Sequence, residues 1–105
     1  MGYAEVYQSW KDNPEGWWME QAEAIDWTAK PTKALFDHGG RNYEWFADGM
    51  VNGCYNAVDR HVENGRGAQA AIIYDSPITG RKSSTTYAEL QTRVAALAGA
   101  LAARG

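Results

Sequence analysis

The sequence has 105 residues, 45% of them hydrophobic and 22% charged, which is the composition of one folded domain or of part of a larger protein. A net charge of −3 offers no attraction for nucleic acid or anionic lipid, so neither is a predicted partner. Cys54 is the only cysteine, which excludes an intramolecular disulfide and a multi-cysteine zinc site and favours a reducing compartment.

The N-terminal stretch MGYAEVYQSWKD contains no basic segment followed by an apolar one, so it does not predict a secretory signal. The most apolar run, VAALAGALAA, is too short to span a bilayer. We therefore expect a cytoplasmic protein without a membrane partner.

The first predicted element is a helix over residues 3 to 12. Its aromatic and apolar side chains recur at intervals of three and four, which places them on one helix face: Tyr3, Val6, Tyr7 and Trp10. Four of the five tryptophans are crowded near the N-terminus, at positions 10, 17, 18 and 27. Without a basic surround they favour a packing surface over a platform for bases or sugars.

A second helix is predicted over residues 14 to 25. Asn13 is a suitable N-cap, Pro14 suits the first helical position because it needs no N–H donor there, and Glu15 complements the positive helix end. Its apolar face is predicted to be Trp18, Ala22 and Ile25.

The stretch from Asp26 to Arg41 has no sustained period and contains Pro31 and Gly39-Gly40, which predicts an extended connection on the surface. The following sequence, NYEWFADG, alternates weakly and ends in a turn signal, so a short strand or hairpin arm is expected there.

The stretch NGCYNAVDRHVENG predicts a helix over residues 52 to 64. Asn52 can cap it, and Gly65 can end it in the left-handed conformation. The predicted buried stripe is Cys54, Val58, His61 and Val62.

The C-terminal part predicts a β-hairpin from about 69 to 85, with AQAAIIYD as a buried strand, SPITGRK as the turn and KSSTT as the second strand. A last helix follows over residues 86 to 104, where Thr86 and Glu89 form a capping box and Gly105 is the stop. Its buried stripe is predicted to be Leu90, Val94, Leu97 and Leu101. The fold class is therefore α+β, with several amphipathic helices and a small β-hairpin.

No pattern of residues predicts a catalytic, cofactor-binding or metal site. Cys54 and His61 would lie roughly 10 Å apart along a straight helix, too far for a thiolate–imidazole pair. His38 has no acidic or cysteine neighbour at ligand spacing. The run SPITGRKSSTT has the composition of a phosphate loop but neither its glycine spacing nor its position between strand and helix, and ENGRGAQ is a helix-terminating turn with only weak anion-site character.

Three blocks nevertheless occur in a recognisable order: WWMEQAEAIDW, then YEWFADGMVNGCYNAVDRHVENG, then AAIIYDSPITGRKSSTTYAELQTRVAALAGALAARG. Together they cover nearly the whole chain, and their order and spacing resemble the N-terminal region of AMP-forming short-chain acyl-CoA synthetases. Within that family the resemblance is to propionate-activating members first and to acetate-activating members next.

Enzymes of that family join a carboxylate to ATP, release pyrophosphate and transfer the acyl group from the acyl-adenylate to coenzyme A. The resemblance thus implies ATP, magnesium and coenzyme A for the parent enzyme and none for this part, because the family's catalytic motifs match nothing here. Residues 1–105 would be an N-terminal region, helical over 1–65 and with a β-hairpin plus helix over 68–105, lacking the catalytic core and C-terminal domain.

Two hypotheses follow for the chain's role. The first is a catalytically incomplete part of an acyl-CoA synthetase, whose partner is the rest of that enzyme and whose exposed apolar surface favours self-association. The second is a free-standing interaction module, which only the surplus of aromatic side chains and the end of the sequence after a helix support.

Overall fold

Two consecutive helices begin the computed structural model, which describes residues 1–105. Helix α1 spans Tyr3–Asp12 and helix α2 spans Pro14–Ala22. The predicted cap is confirmed: the Asn13 side chain accepts a hydrogen bond from the Gly16 N–H at 3.1 Å, and Pro14 opens α2. Helix α2 ends three residues before the predicted Ile25, so Ile25 lies outside it and is exposed.

Two pairs of short antiparallel strands follow, where the sequence predicted mainly an extended connection. Strand β1 (Trp27–Ala29) pairs with β4 (Met50–Val51), and β2 (Leu35–Asp37) pairs with β3 (Tyr43–Trp45). The connection predicted for residues 26 to 41 therefore holds two strands, whereas the arm predicted in NYEWFADG is confirmed as β3.

The first half of the chain, residues 1–52, forms its own structural unit, which we call unit 1. Ala34 is fully buried; its N–H donates to Glu15 Oε1 at 2.5 Å, and its carbonyl accepts the Phe46 N–H at 2.7 Å. The Trp27 indole N–H donates to the Ala22 carbonyl at 2.8 Å, and its ring lies 5.5 Å from that of Phe46. These contacts tie α2 to the strand pairs.

Residues 53–105 form the second unit, unit 2, which begins with a helix over residues 53 to 66. This helix is wide: Tyr55–Asp59 and Val62–Arg66 have π-helical hydrogen bonding. Gly65 has φ +81° and confirms the predicted left-handed position. The buried stripe was predicted in part wrongly, because Val58 is buried but Cys54 is exposed at the helix start.

The predicted hairpin and last helix are present as β5 (Ala70–Ser76), β6 (Arg81–Thr86) and α3 (Tyr87–Ala102). The prediction that β5 is buried is wrong, since Ile73 is 81% exposed. The buried stripe of α3 is also shorter than predicted: Leu90 and Val94 are half-buried, but Leu97 and Leu101 are each 62% exposed. The α+β class itself is confirmed.

The capping box of α3 gives a first testable prediction. Thr86 Oγ1 accepts the Glu89 N–H at 3.2 Å, and Glu89 Oε2 accepts the Thr86 N–H at 2.8 Å. Thr86→Ala should lower the free energy of unfolding by about 1 kcal/mol because it leaves the Glu89 N–H without its partner. Thr92→Ala is the matched control, since Thr92 on the same helix bonds only the Ala88 carbonyl and its loss should change stability by less than about 0.5 kcal/mol. Equal effects in urea denaturation would contradict the assignment.

A second prediction concerns pH and the Asp48 carboxylate. Both its oxygens accept the Thr32 N–H at 3.1 Å and one accepts the Thr32 hydroxyl at 2.5 Å, and this side-chain hydrogen bond is the main reason that the pKa of Asp48 lies below its ordinary value. A depressed pKa means that the carboxylate stabilises the folded state fully above about pH 4 and that this contribution is lost as the pH falls through the folded-state pKa. An NMR titration should therefore show a pKa for Asp48 that rises in Thr32→Val, which lacks the hydroxyl donor. An unchanged pKa in that variant would contradict the prediction.

Candidate functional site

The polar residues that were considered from the sequence as catalytic or metal sites do not bond one another in the structure; each has a different partner. The Cys54 thiol donates to Asp59 Oδ2 at 3.7 Å, whereas His61 Nδ1 lies 3.3 Å from Arg66 Nη1. His38 pairs with Glu44 across the β2–β3 turn at 3.1 Å. Nowhere do three or more His, Cys, Asp or Glu side chains come together as metal ligands would.

The run SPITGRK forms the turn between β5 and β6, as predicted. The Gly80 N–H donates to the Ser76 carbonyl at 2.9 Å, and Gly80 has φ +66°. Hydrogen bonds with the side chains of Ser76 and Thr79 hold the pKa of Tyr74 below its usual range. Lys82 pairs with Asp75 at 2.8 Å across the hairpin, so its ammonium already has a counter-charge.

The turn ENGRGAQ also has its polar groups engaged inside unit 2. Arg66 Nε donates to Gln69 Oε1 at 2.8 Å, and the Arg66 guanidinium lies 5.8 Å from the ring centre of Tyr87. The His61 ring lies 5.0 Å from the same tyrosine ring. These contacts fix the end of the wide helix against the start of α3, which is a packing arrangement.

Unit 1 contains an apolar groove on α1 and α2, which we call the aromatic groove. Its volume is about 330 Å³ and it is lined by Tyr3, Val6, Tyr7, Trp10, Trp17 and Trp18. The spacing of three and four in α1 and the adjacent pair Trp17 and Trp18 in α2 put these side chains on facing surfaces. The predicted face of α1 is thus confirmed as one lining of the groove.

The rings of the aromatic groove are held at defined separations. Tyr3 stacks on Tyr7 with centroids 6.1 Å apart, and Tyr7 lies 5.8 Å from Trp10. Trp17 and Trp18 meet edge to face at 4.8 Å. Trp10 and Trp18 also line an adjoining cavity of about 270 Å³, whose other lining residues include Ala34, Leu35 and Trp45. An aromatic surface of this kind is suited to contacts with apolar groups.

Unit 2 has an exposed apolar surface of its own. Ile72 and Ile73 on β5, and Leu97 and Leu101 on α3, remain exposed although aliphatic side chains of this size are usually buried. Strand β5 exposes an apolar side chain on each of its two faces, because neighbouring residues of a strand point in opposite directions. Exposed apolar surfaces of this kind are typical of sites that contact another protein or a ligand.

Comparison with known proteins gives the family. A family model described as "Acetyl-coenzyme A synthetase N-terminus" matches residues 3–57, which is more than half of the chain. The chain belongs to this family. Its match covers unit 1 and the beginning of the wide helix.

Individual relatives of the family extend the similarity into unit 2. The protein named "Acyl-CoA synthetase short-chain family member 3, mitochondrial" from Homo sapiens is 48% identical over 93 residues, which are 89% of this chain and 14% of that protein. Its counterpart from Bos taurus is 47% identical over the same length. The acetyl-coenzyme A synthetase of Shewanella frigidimarina is 39% identical over 106 residues, covering 98% of this chain and 16% of that enzyme.

The resemblance to the N-terminal region of short-chain acyl-CoA synthetases is therefore confirmed, and the chain spans about one seventh of the length of these relatives. No helix of the structure has the length and apolar character needed to cross a membrane. The aromatic groove was predicted only in part. The spacing of residues predicted its α1 face, but the contribution of Trp17 depends on how α1 and α2 pack.

Proposed function

We propose that this chain is the N-terminal part of an AMP-forming acyl-CoA synthetase that activates a short carboxylate with ATP and transfers the acyl group from the acyl-adenylate to coenzyme A. The observation that supports this proposal is the identity of 48% over 89% of the chain with a human protein named acyl-CoA synthetase short-chain family member 3. Propionate is the proposed substrate, and acetate is the next choice because acetyl-coenzyme A synthetases match at somewhat lower identity.

The proposed role of these 105 residues within the enzyme is structural. We place no catalytic, cofactor-binding or metal-binding residue in them, and we assign ATP, magnesium and coenzyme A to the rest of the enzyme. Support comes from the polar groups, since His38, Lys82 and Arg66 are all engaged inside their own units. Residues 1–105 then form an N-terminal region that packs on the remaining enzyme through its exposed apolar surfaces.

A free-standing interaction module is the second candidate function. The aromatic groove favours it, because an accessible apolar groove lined by six side chains can hold a partner without any catalysis. The two functions differ in what lies beyond Gly105: the first requires a Ser/Thr/Gly-rich phosphate loop and its lysine further along the chain.

We expect the isolated 105 residues to self-associate. Their exposed apolar side chains, Ile73 and Leu97 among them, would be covered in the whole enzyme and are open to water here. Sedimentation velocity should show a weight-average mass that rises with concentration. A monomer at every concentration would contradict this expectation.

The cytoplasm is the proposed compartment, and it is supported by the single unpaired thiol of Cys54. The mammalian relatives carry the word mitochondrial in their names, so fractionation of the source cells is the measurement that decides between the two compartments.

Pyrophosphate exchange by the full-length protein tests the proposed function. With ATP and magnesium, the rate of exchange should depend on added carboxylate and should be highest for propionate, lower for acetate and lower again for longer chains. Exchange does not require coenzyme A, whereas formation of acyl-CoA does, so the two assays separate the half-reactions. A full-length protein that shows no carboxylate-dependent exchange would overturn the proposal.

A further inference from the structure

The hairpin of β5 and β6 in unit 2 is a sheet of two strands, so each strand has one edge without a neighbouring strand. In an antiparallel pair, every second residue directs its N–H and C=O groups to the partner strand, and the residues between direct theirs to the opposite edge. Roughly half of the main-chain polar groups of β5 therefore lie on an open edge. An open edge of this kind can bind a further strand through main-chain hydrogen bonds.

The side chains of the two strands indicate which edge a further strand would occupy. Strand β6 contains only charged and hydroxyl side chains, and a lysine such as Lys82 is typical of the outermost strand of a sheet. Strand β5 instead exposes apolar side chains on both faces: Ile73 is 81% exposed on one face, and Ile72 and Tyr74 are 47% and 45% exposed on the other. A strand that is apolar on both faces is typical of an inner strand with both faces covered.

We propose that the open edge of β5 binds an extended segment from the remainder of the synthetase, which adds as a third strand and makes β5 an inner strand of a larger sheet. The segment carries β-branched or aromatic side chains, because these would lie beside Ile72, Ile73 and Tyr74 on the two faces of the sheet. The inference rests on the proposed function, since the segment lies in the part of the enzyme that this chain does not span. It deepens that function by naming the main-chain edge through which unit 2 joins the enzyme.

A segment of the same polypeptide is favoured over a second copy as the occupant of this edge. The matched residues are 14% of the human relative, so most of an enzyme of that length lies outside this chain and is covalently attached to it. An attached segment reaches an effective concentration of about millimolar when its linker is short and flexible, whereas a second copy binds from solution at its own concentration. When that segment is missing, the same edge is open to pairing between copies, in line with the expected self-association of the isolated chain.

The test is amide hydrogen exchange in the full-length protein, read at single residues by mass spectrometry with electron-transfer fragmentation. With a strand on each side of β5, the consecutive amides of residues 72–75 should all exchange roughly a hundredfold more slowly than unpaired amides. Strand β6 is the internal control: over residues 82–85, amides bonded to β5 should be slow and those on the outer edge fast. Alternating slow and fast amides in β5 would overturn the proposal, and uniform protection of β6 alone would place the further strand on the wrong edge.

The variant Ile73→Lys tests the side-chain part of the proposal. A charge at this position would be covered in the larger sheet, so the open-edge amides of β5 should exchange about tenfold faster. Ser84→Lys is the matched control, because Ser84 lies directly opposite Ile73 on β6 and is also exposed; it should change the exchange by less than about twofold. Equal effects of the two variants would contradict an inner position for β5. The wild-type pattern decides the proposal even if Ile73→Lys does not fold.

Two further readouts separate the possible outcomes. Protection of β5 that falls when the full-length protein is diluted would identify a second copy on the edge and would overturn the proposal. Pyrophosphate exchange is measured on the same samples. A wild type without carboxylate-dependent pyrophosphate exchange would refute the proposed function, whereas one with this activity but with alternating amides in β5 would refute only the third strand.

Discussion

Purified on its own, the 105-residue chain is expected to exchange no pyrophosphate into ATP with either propionate or acetate. Adenylate formation needs a loop that wraps the phosphates, a carboxylate that holds magnesium and a cation at the developing charge, because positioning and electrostatic stabilisation supply most of the acceleration. Two of its lysines already have a counter-charge: Lys82 pairs with Asp75, and Lys30 pairs with Glu23. The full-length enzyme should catalyse pyrophosphate exchange, whereas the isolated chain should show none.

Two measurements check this expectation. The exchange assay is run on the chain and on the full-length protein at equal molar concentration, so that the full-length protein is the positive control. Titration calorimetry of the chain with ATP and with coenzyme A should show no heat of binding, since we place neither site in these residues. Propionate-dependent exchange that stays with the chain through a second purification would mean that an active site has been overlooked.

The caps at the helix ends could be predicted because they depend on neighbouring residues alone, whereas the end of α2 at Ala22 lies three residues before the predicted one. Asn13 caps α2, Thr86 and Glu89 bond each other, and Gly65 takes a positive φ, and each was expected from residue type and position. The hairpin of β5 and β6 is local in the same sense, since the turn residues and the two strands adjoin in sequence.

The strand pairs of unit 1 could not be predicted in full because their signals are short and their pairing is not local. Strands β1 and β4 have three and two residues, too few for a period to show, and they are separated by the whole of β2 and β3. The cavity beside the aromatic groove depends on this fold, because Trp45 reaches Trp18 at 5.3 Å only when β3 is in place.

Burial was the least predictable property, and the apolar stripe of α3 shows why. Periodicity identifies the side of a helix on which apolar residues lie, but it does not say what covers that side. In α3 the first two members of the stripe, Leu90 and Val94, are half-buried within unit 2, whereas Leu97 and Leu101 are exposed. The sequence of α3 therefore carries a longer apolar face than unit 2 alone can cover.

The uncovered apolar face of α3 leads to the second large expected effect. The free-energy cost of Leu97→Ala should differ between the isolated chain and the full-length enzyme. In the isolated chain Leu97 is 62% exposed, so Leu97→Ala should change the free energy of unfolding by about 0.5 kcal/mol or less. In the full-length enzyme, where we propose that further chain covers α3, the same substitution should cost roughly 2 to 5 kcal/mol because it leaves a cavity. Leu90→Ala is the matched control on the same helix: Leu90 is already half-buried, so its truncation should destabilise both forms. Urea denaturation of the four variants measures this, and a Leu97→Ala effect that is equally small in both contexts would show that α3 faces water in the whole enzyme.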